Sequence, residues 1–313
     1  MNGACMSRVI EVKNLKKYYE NLKAVDGISF HVNKGEIFGL LGENGAGKTT
    51  TLEIIEGLRK SSSGKVTVLG EDVSKGCKDC IKQKIGVQLQ SSAYYQFLNL
   101  KEILSLFGGF YEKSVNAIEL LKIVDLETKS KSLIKALSGG QKQRFSVIAS
   151  LVNDPEIVFL DEPTTGLDPL ARRNLWELIS KIKEQGKTIV LTTHYMEEAE
   201  ILCDRIAIME KGKILAMDDT HKLVENTKNP FKISFYSDKL TETANKSLAK
   251  LGDIKNIAGK SHFYEMNLKS QDNLNKAIEI IQKLKPESLT VGRASLEDLF
   301  IELTGKTIGE ENA

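Results

Sequence analysis

The sequence predicts an α/β fold with a mainly parallel sheet, a helical insert and a small α+β domain at its C-terminal end. Three observations carry this. Short, continuously apolar runs alternate with helical stretches, the pattern of strands covered on both faces. A Gly-rich turn ending in Gly47-Lys48-Thr49 links one such run to a helix. The texture then changes twice, to helices with little strand signal at about 91–149, and to short strands and helices after Asn226.

In chain order, 9–12 reads as a short strand and 24–32 as a strand with alternating burial. Residues 36–41 form a buried strand that runs into the Gly-rich turn and a helix beginning near Lys48. Further buried strands are expected at 157–160, 188–192 and 205–209, after which Lys211-Gly212 turns the chain into 213–216. Stretches 170–185 and 196–203 read as helices. The polar Thr227-Lys228-Asn229-Pro230 marks a linker, so the expected domains are 1–220 and 221–313. Beyond it, strands are expected at 231–236, 254–258, 262–268 and 288–292, and helices at 241–251, 273–284 and 296–303. That β-α-β-β-α-β order suits a ferredoxin-like sandwich.

Among 313 residues, 44 Lys and Arg stand against 42 Asp and Glu, a net charge of +2. So balanced a chain does not track a nucleic-acid backbone by charge alone, and no nucleic-acid partner is expected. With 41% hydrophobic and 27% charged residues, the composition is globular rather than disordered. No apolar run approaches the ~20 residues that span a bilayer, and Met1-Asn2-Gly3-Ala4-Cys5 offers no apolar core for a secretory signal. Four cysteines (Cys5, Cys77, Cys80 and Cys203) are too few for a disulfide scaffold, so a reducing, cytoplasmic location is expected. Cys77 and Cys80 have the spacing of half a zinc site, but no second Cys or His pair follows nearby, and an exposed loop is the expected reading.

Gly42-Glu43-Asn44-Gly45-Ala46-Gly47-Lys48-Thr49 fits the pattern G-x-x-x-x-G-K-[ST]. Glycines let backbone N–H groups turn inward around phosphates, and the following helix adds its partial positive charge. Lys48 is expected to reach the β- and γ-phosphates, and Thr49 to give a hydroxyl oxygen to Mg²⁺. The strand at 157–160 leads into Asp161 and Glu162. Successive strand side chains point opposite ways, so these carboxylates can divide the work. Asp161 would hold Mg²⁺ and Glu162 would polarise the attacking water.

Leu137-Ser138-Gly139-Gly140-Gln141-Lys142-Gln143-Arg144 resembles the signature motif of ATP-binding-cassette (ABC) ATPases, and it lies upstream of the carboxylate strand as in that family. Physically, Ser138 can cap a helix whose N–H groups, with the glycines, face an anion. Gln90 resembles the glutamine-loop residue joining core to insert, and Gly166-Leu167-Asp168 the dimer-contact loop. His194, after Thr192-Thr193, resembles the switch histidine at the γ-phosphate. Tyr19 resembles the aromatic that stacks on adenine, with Tyr18 beside it and Glu20 where relatives usually carry Gly.

The likeness spans about 8–220 and implies a P-loop NTPase cassette core that uses ATP and Mg²⁺. It implies catalytic roles for Glu162, His194, Lys48 and Gln90, and metal contacts from Thr49, Gln90 and Asp161. Nucleotide contacts are implied for Tyr19, Gly42, Asn44, Gly45, Ala46, Gly47, Lys48, Thr49 and Thr50. Across a dimer, Ser138, Gly139, Gly140, Gln141 and Asp168 would complete them. In that family two ATPs lie between one chain's phosphate loop and another's signature motif, so a homodimer, or a pair with a paralogue, is implied.

The family mostly drives membrane transport by hydrolysing ATP to ADP and phosphate. For this chain, that implies a separate integral-membrane permease and a place on the inner face of the membrane. Tyr94, Tyr95, Phe97, Phe107, Phe110 and Tyr111 either line the groove that receives the permease or form the core of the insert. Residues 295–305 resemble the ending of bacterial exporter ATPases for drugs, antibiotics, bacteriocins or sodium; as physics they form an amphipathic helix with Leu296, Leu299, Phe300 and Leu303 on one face. The alternative is a soluble ABC ATPase acting on ribosomes or DNA. Those usually carry two cassettes or a long coiled-coil insertion, and the sequence reads as having neither.

Overall fold

The computed structural model describes residues 7–88, 94–238, 240–257 and 262–305. They form two compact units, divided between Thr220 and His221. The first opens with β1 (Arg8–Tyr19), β2 (Leu22–Asn33), β3 (Ile37–Leu41), α1 (Lys48–Ile55), β4 (Ser63–Val68), β5 (Glu71–Asp72), α2 (Asp79–Lys82) and β6 (Ile85–Gln88). Three helices follow: α3 (Leu100–Gly108), α4 (Ala117–Ile123) and α5 (Gly139–Ala149). Then come β7 (Ile157–Asp161), α6 (Pro169–Glu184), β8 (Thr188–Thr193), α7 (Met196–Leu202), β9 (Arg205–Glu210) and β10 (Lys213–Asp219). A short α8 (Thr220–Glu225) begins where this unit ends.

The main sheet has the order β10-β9-β3-β8-β7-β6. Every pairing from β9 to β6 is parallel, and β10 closes the edge antiparallel to β9. Strands β3, β7 and β8 are buried along their whole length, which is why they read as unbroken apolar runs. A second, antiparallel sheet has the order β2-β1-β4-β5. Helix α1 packs against both sheets. It buries Leu52, Ile54 and Ile55 among residues of each, about 1.5–3 kcal/mol per side chain by transfer arithmetic. That packing anchors the helix that follows the phosphate loop.

Strand β1 runs 12 residues, well past the four expected from the sequence. Register shifts at Val12/Leu15, Leu15/Lys16 and Lys17/Tyr18 break its period of two, so alternation stops signalling a strand where the bulges begin. Strands β4 and β5 were not expected at all, because β4 opens on the exposed Ser63-Gly64-Lys65 and β5 is two residues long.

The second unit contains β11 (Phe231–Tyr236), α9 (Glu242–Ala249), β12 (Gly252–Asn256), β13 (Phe263–Leu268), α10 (Gln271–Lys283), β14 (Ser288–Arg293) and α11 (Leu296–Thr304). Its sheet order β12-β13-β11-β14, antiparallel throughout, is the ferredoxin-like arrangement. Ile233, Phe235, Met266 and Leu268 pack against Leu248, Leu274, Ala277 and Ile281. Helix α11 buries Leu296, Leu299 and Phe300, but Leu303 in its last turn is 38% exposed and departs from the expected apolar face.

Candidate nucleotide-binding site

The loop between β3 and α1 is held at its two ends by backbone contacts that leave no room for a side chain. A Cβ on Gly42 would lie 2.3 Å from the Met209 carbonyl oxygen. Gly47 takes φ 100°, and a Cβ there would lie 2.3 Å from the Ala24 carbonyl oxygen. Ala46 is buried, Asn44 and Gly45 are exposed, and Thr49 and Thr50 are half-buried at the start of α1. Gly47 is the N-cap of α1 and supplies no side-chain hydrogen bond, so the first N–H groups of the helix are left without a side-chain cap. Lys48 folds back over the loop, where its Nζ donates to the carbonyl oxygens of Gly42 at 2.8 Å and Glu43 at 3.0 Å.

Strand β7 ends at Asp161, and Glu162 turns away with φ 47°, in the left-handed region. The backbone turn, rather than the strand alternation expected from the sequence, therefore separates the two carboxylates. The Glu162 N–H donates to both the carbonyl oxygen (3.2 Å) and Oγ1 (3.0 Å) of Thr192, which holds a conformation that costs a non-Gly residue about 1 kcal/mol or more. Asp161 accepts from Thr49 Oγ1 at 3.2 Å and from Thr192 Oγ1. Glu162 lies 3.3 Å from Lys48 Nζ and 3.3 Å from His194 Nδ1, and accepts from Thr165 Oγ1 at 3.1 Å.

Neighbours and burial shift three of these groups. The neighbouring His194 imidazole, with Lys48, brings the Glu162 carboxyl down to about 2 against the opposing effect of burial. Burial pulls the Lys48 ammonium below its ordinary range and pushes the Asp161 carboxyl up, although Thr192 and Thr49 donate to it. Sequence reasoning missed Thr192 and Thr165 as partners. The only available signal was a hydroxyl pair directly before His194.

The signature segment forms a second site. Ser138 caps α5 in a reciprocal box: Gln141 N donates to Ser138 Oγ at 3.3 Å and Ser138 N donates to Gln141 Oε1 at 3.2 Å. Asp168 caps α6 by accepting from Ala171 N at 2.9 Å. Ser138, Gly139, Gly140, Gln141 and Asp168 line one concavity of about 300 Å³, and no phosphate-loop residue takes part in it. Tyr19, at the end of β1, has Lys17 Nζ 4.9 Å and the Arg59 guanidinium 5.6 Å from its ring, whereas Tyr18 donates its hydroxyl to Asp26 at 2.6 Å. Glu20 takes φ 46° at the turn where Gly was expected of relatives. Gln90 lies outside the described residues.

The aromatic cluster divides between packed and exposed rings. Tyr94 packs edge-on to Phe145 at 5.4 Å and against Phe107 at 6.1 Å, whereas Tyr95, Phe97 and Phe110 are exposed. Tyr94, Phe107, Phe110 and Tyr111 line a groove of about 470 Å³ that also holds Glu56, buried at the end of α1. Elsewhere, Cys77 and Cys80 are free thiols, and burial raises Cys77 rather than activating it. Among the described residues, no helix is long and apolar enough to cross a membrane.

A family model described as ABC transporter matches residues 25–165. The linearmycin resistance ATP-binding protein of Bacillus subtilis (strain 168) is 36% identical, over 96% of this chain and 99% of that protein. This chain belongs to the ABC transporter ATP-binding proteins. Like other ABC ATPases it binds ATP and hydrolyses it in the service of transport. The Nod factor export ATP-binding protein I of Burkholderia lata is 35% identical, over 95% of this chain and 97% of that protein. Among solved structures, a dimeric ATP-binding cassette in a post-hydrolysis state with ADP and phosphate matches with a TM-score of 0.61 and 28% identity, covering 67% of this ABC chain and 98% of the cassette. The ATP-binding subunit of another ABC transporter matches with a TM-score of 0.62 and 30% identity, covering 69% and 92%.

Proposed function

We propose that this ABC protein is the ATP-hydrolysing subunit of an exporter, which dimerises around two ATPs and drives a separate integral-membrane permease. The observation that supports this most is the division of its machinery. Lys48, Thr49, Asp161, Glu162 and His194 are tied together at one place, while Ser138, Gly139, Gly140, Gln141 and Asp168 line another. Each is half of a site, and a second chain supplies the missing half.

In this reading Lys48 and the loop N–H groups bind the β- and γ-phosphates, Tyr19 stacks on adenine and His194 contacts the γ-phosphate. Glu162 polarises the attacking water, helped by a carboxylate that stays ionised throughout the physiological range. The Thr49 and Asp161 oxygens, 3.2 Å apart with Asp161 buried, fit the few protein ligands that Mg²⁺ takes beside phosphate. Gln90 would join them. The ion, when bound, neutralises charge on the transferred phosphoryl group.

A relative named for Nod factor export supports the outward direction, and one named for linearmycin resistance suits a drug-type cargo; the peptide- or ion-type alternatives rest on the resemblance of residues 295–305 alone. The chain would sit in the cytoplasm, held to the inner membrane face by its permease, as a homodimer or with a paralogue. Residues 221–313 would form an accessory domain. Glu162→Gln is the test: ATP binding is retained, turnover is abolished, and dimers accumulate in size-exclusion runs with ATP. Retained hydrolysis would remove Glu162 from this role. Co-purification with ribosomes and no membrane protein would defeat the exporter assignment.

A further inference from the structure

Helices α6 and α7 meet through two rungs. Arg172 and Trp176 lie one turn apart on α6, on the same face. Tyr195, the N-cap of α7, and Glu198 in its first turn face them. Trp176 Nε1 donates to Glu198 Oε1 at 3.1 Å, and both residues are buried. The Arg172 guanidinium lies 4.3 Å from the centre of the Tyr195 ring. Tyr195 in turn packs on His194, with ring centres 4.1 Å apart and tilted by 40°. His194 Nδ1 then stands 3.3 Å from Glu162 Oε2. Four side chains thus form a continuous file from α6 to the carboxylate beside Lys48.

Two features show that this file is not simply core packing. Arg172 Nε is buried and has no hydrogen-bond partner among the described residues, an arrangement that a purely structural position would not favour. His194 has no well-aligned hydrogen bond at Nδ1, so the approach to Glu162 does not by itself fix the ring's rotation. Besides that contact, Tyr195 packs on the ring at a 40° tilt, and what backs Tyr195 is the guanidinium. Arg172 is also one turn past Asp168, whose carbonyl oxygen accepts its N–H at 3.0 Å. Its position therefore follows the loop that lines the signature concavity.

We propose that Tyr195 and Arg172 are positioning residues for His194: the guanidinium over the phenol ring, and the phenol ring packed at a tilt on the imidazole, hold the imidazole against Glu162 in the orientation that hydrolysis requires. This rests on the reading of His194 and Glu162 given above. A misplacement of about 1 Å at a reacting group can cost 100-fold in rate, so the loss should fall on kcat rather than on nucleotide affinity.

The experiment compares steady-state ATP hydrolysis by the full chain, over a range of ATP concentrations, for Tyr195→Ala, Tyr195→Phe, Arg172→Ala and Arg172→Lys. Expected is a loss in kcat of about 10- to 100-fold for Tyr195→Ala with KM for ATP within about threefold. Tyr195→Phe, which keeps the ring, should recover most of the rate. Arg172→Lys should not recover what Arg172→Ala loses, because an ammonium lacks the planar face. In a His194→Ala background, Tyr195→Ala should cost nothing further, a non-additivity that general loosening of the fold would not produce. If Tyr195→Ala fails to fold, Tyr195→Leu, which keeps apolar bulk without a π-face, takes its place in the same comparison. A kcat within twofold of the parent in Tyr195→Ala, or an undiminished loss in the His194→Ala background, overturns the proposal. Undiminished turnover in His194→Ala alone would instead defeat the underlying reading of His194, and the proposal with it.

Discussion

The phosphate-loop site and the signature concavity are built in opposite ways. At the first, Lys48, Asp161 and Glu162 are 4%, 5% and 8% exposed, and each is already bonded to or paired with a neighbour. At the second, Gly139 has open space where a Cβ would be, Leu170 at the rim is 70% exposed, and the polar groups are spent on capping their own helices. The first is preorganised, so the cost of ordering its charges is met during folding. The second is an open surface that, in the proposed function, faces an anion only when a second chain covers it. The difference suits a protein that binds nucleotide on one side alone and acts only as a pair.

The largest expected effect tests the preorganised side. Lys48→Ala should lower both ATP affinity and turnover, with turnover falling by about 10²–10³, because the buried cation that the proposed function places on the phosphates is lost. Isothermal titration and phosphate release will measure the two, and near-normal turnover would break the contrast at its stronger end.

A mixing experiment tests whether the two regions belong to one composite site. Lys48→Ala and Ser138→Ala chains should each be poor ATPases. Mixed, they should recover activity, because one of the two sites in a mixed dimer carries both substitutions and the other carries none. Absence of recovery at any mixing ratio would mean that each chain works alone.

A smaller effect comes from a buried carboxylate that the first region does not neutralise. Glu56, at the far end of α1 from the loop, is 3% exposed, and burial, with Asp161 and Glu53 nearby, raises it to about 8. Its sign is opposite to that of Glu162. The lowered Glu162 contributes stability above about pH 4.5 that is lost as pH falls towards 2. The raised Glu56 favours the folded state below about pH 4.5, and that contribution is lost as pH rises through about 8. Glu56→Gln should therefore raise Tm relative to the parent at pH 8–9 and change it little near pH 4.5. A Tm difference that does not vary with pH would show that Glu56 is paired in solution.

The smallest effect lies at the open side. Ser138→Ala removes the cap of α5 and should lower stability by about 1 kcal/mol in chemical denaturation, with no change in ATP binding to the isolated chain.

Much of the site was legible in the sequence because its parts are local. The strand-loop-helix order at 37–55 shows in a short window of residues, as do the Ser138 and Asp168 caps, although Met209 and Ala24, which close on Gly42 and Gly47, are distant in sequence. The extent of β1 was not legible, because bulges erase its alternation, and β5 was too short to leave a pattern. Thr192 was not legible as a partner of Asp161 and Glu162, because it lies some thirty residues away and reaches them only through the pairing of β7 with β8.

Taken alone, the sequence determined which chemistry is present: a loop that only glycines can close, a lysine, paired carboxylates and a capped signature helix. The tertiary structure decided what these groups do to one another. Parallel pairing of β3 with β8, and of β8 with β7, brings Lys48, Glu162 and His194 together beyond the C-terminal ends of three neighbouring strands, and the φ 47° turn aims Glu162 at both. The α6–α7 packing then lays Arg172 and Tyr195 behind the histidine. Local motifs follow from short-range sterics, whereas these contacts depend on strand order and helix packing between distant segments, which no window of sequence contains.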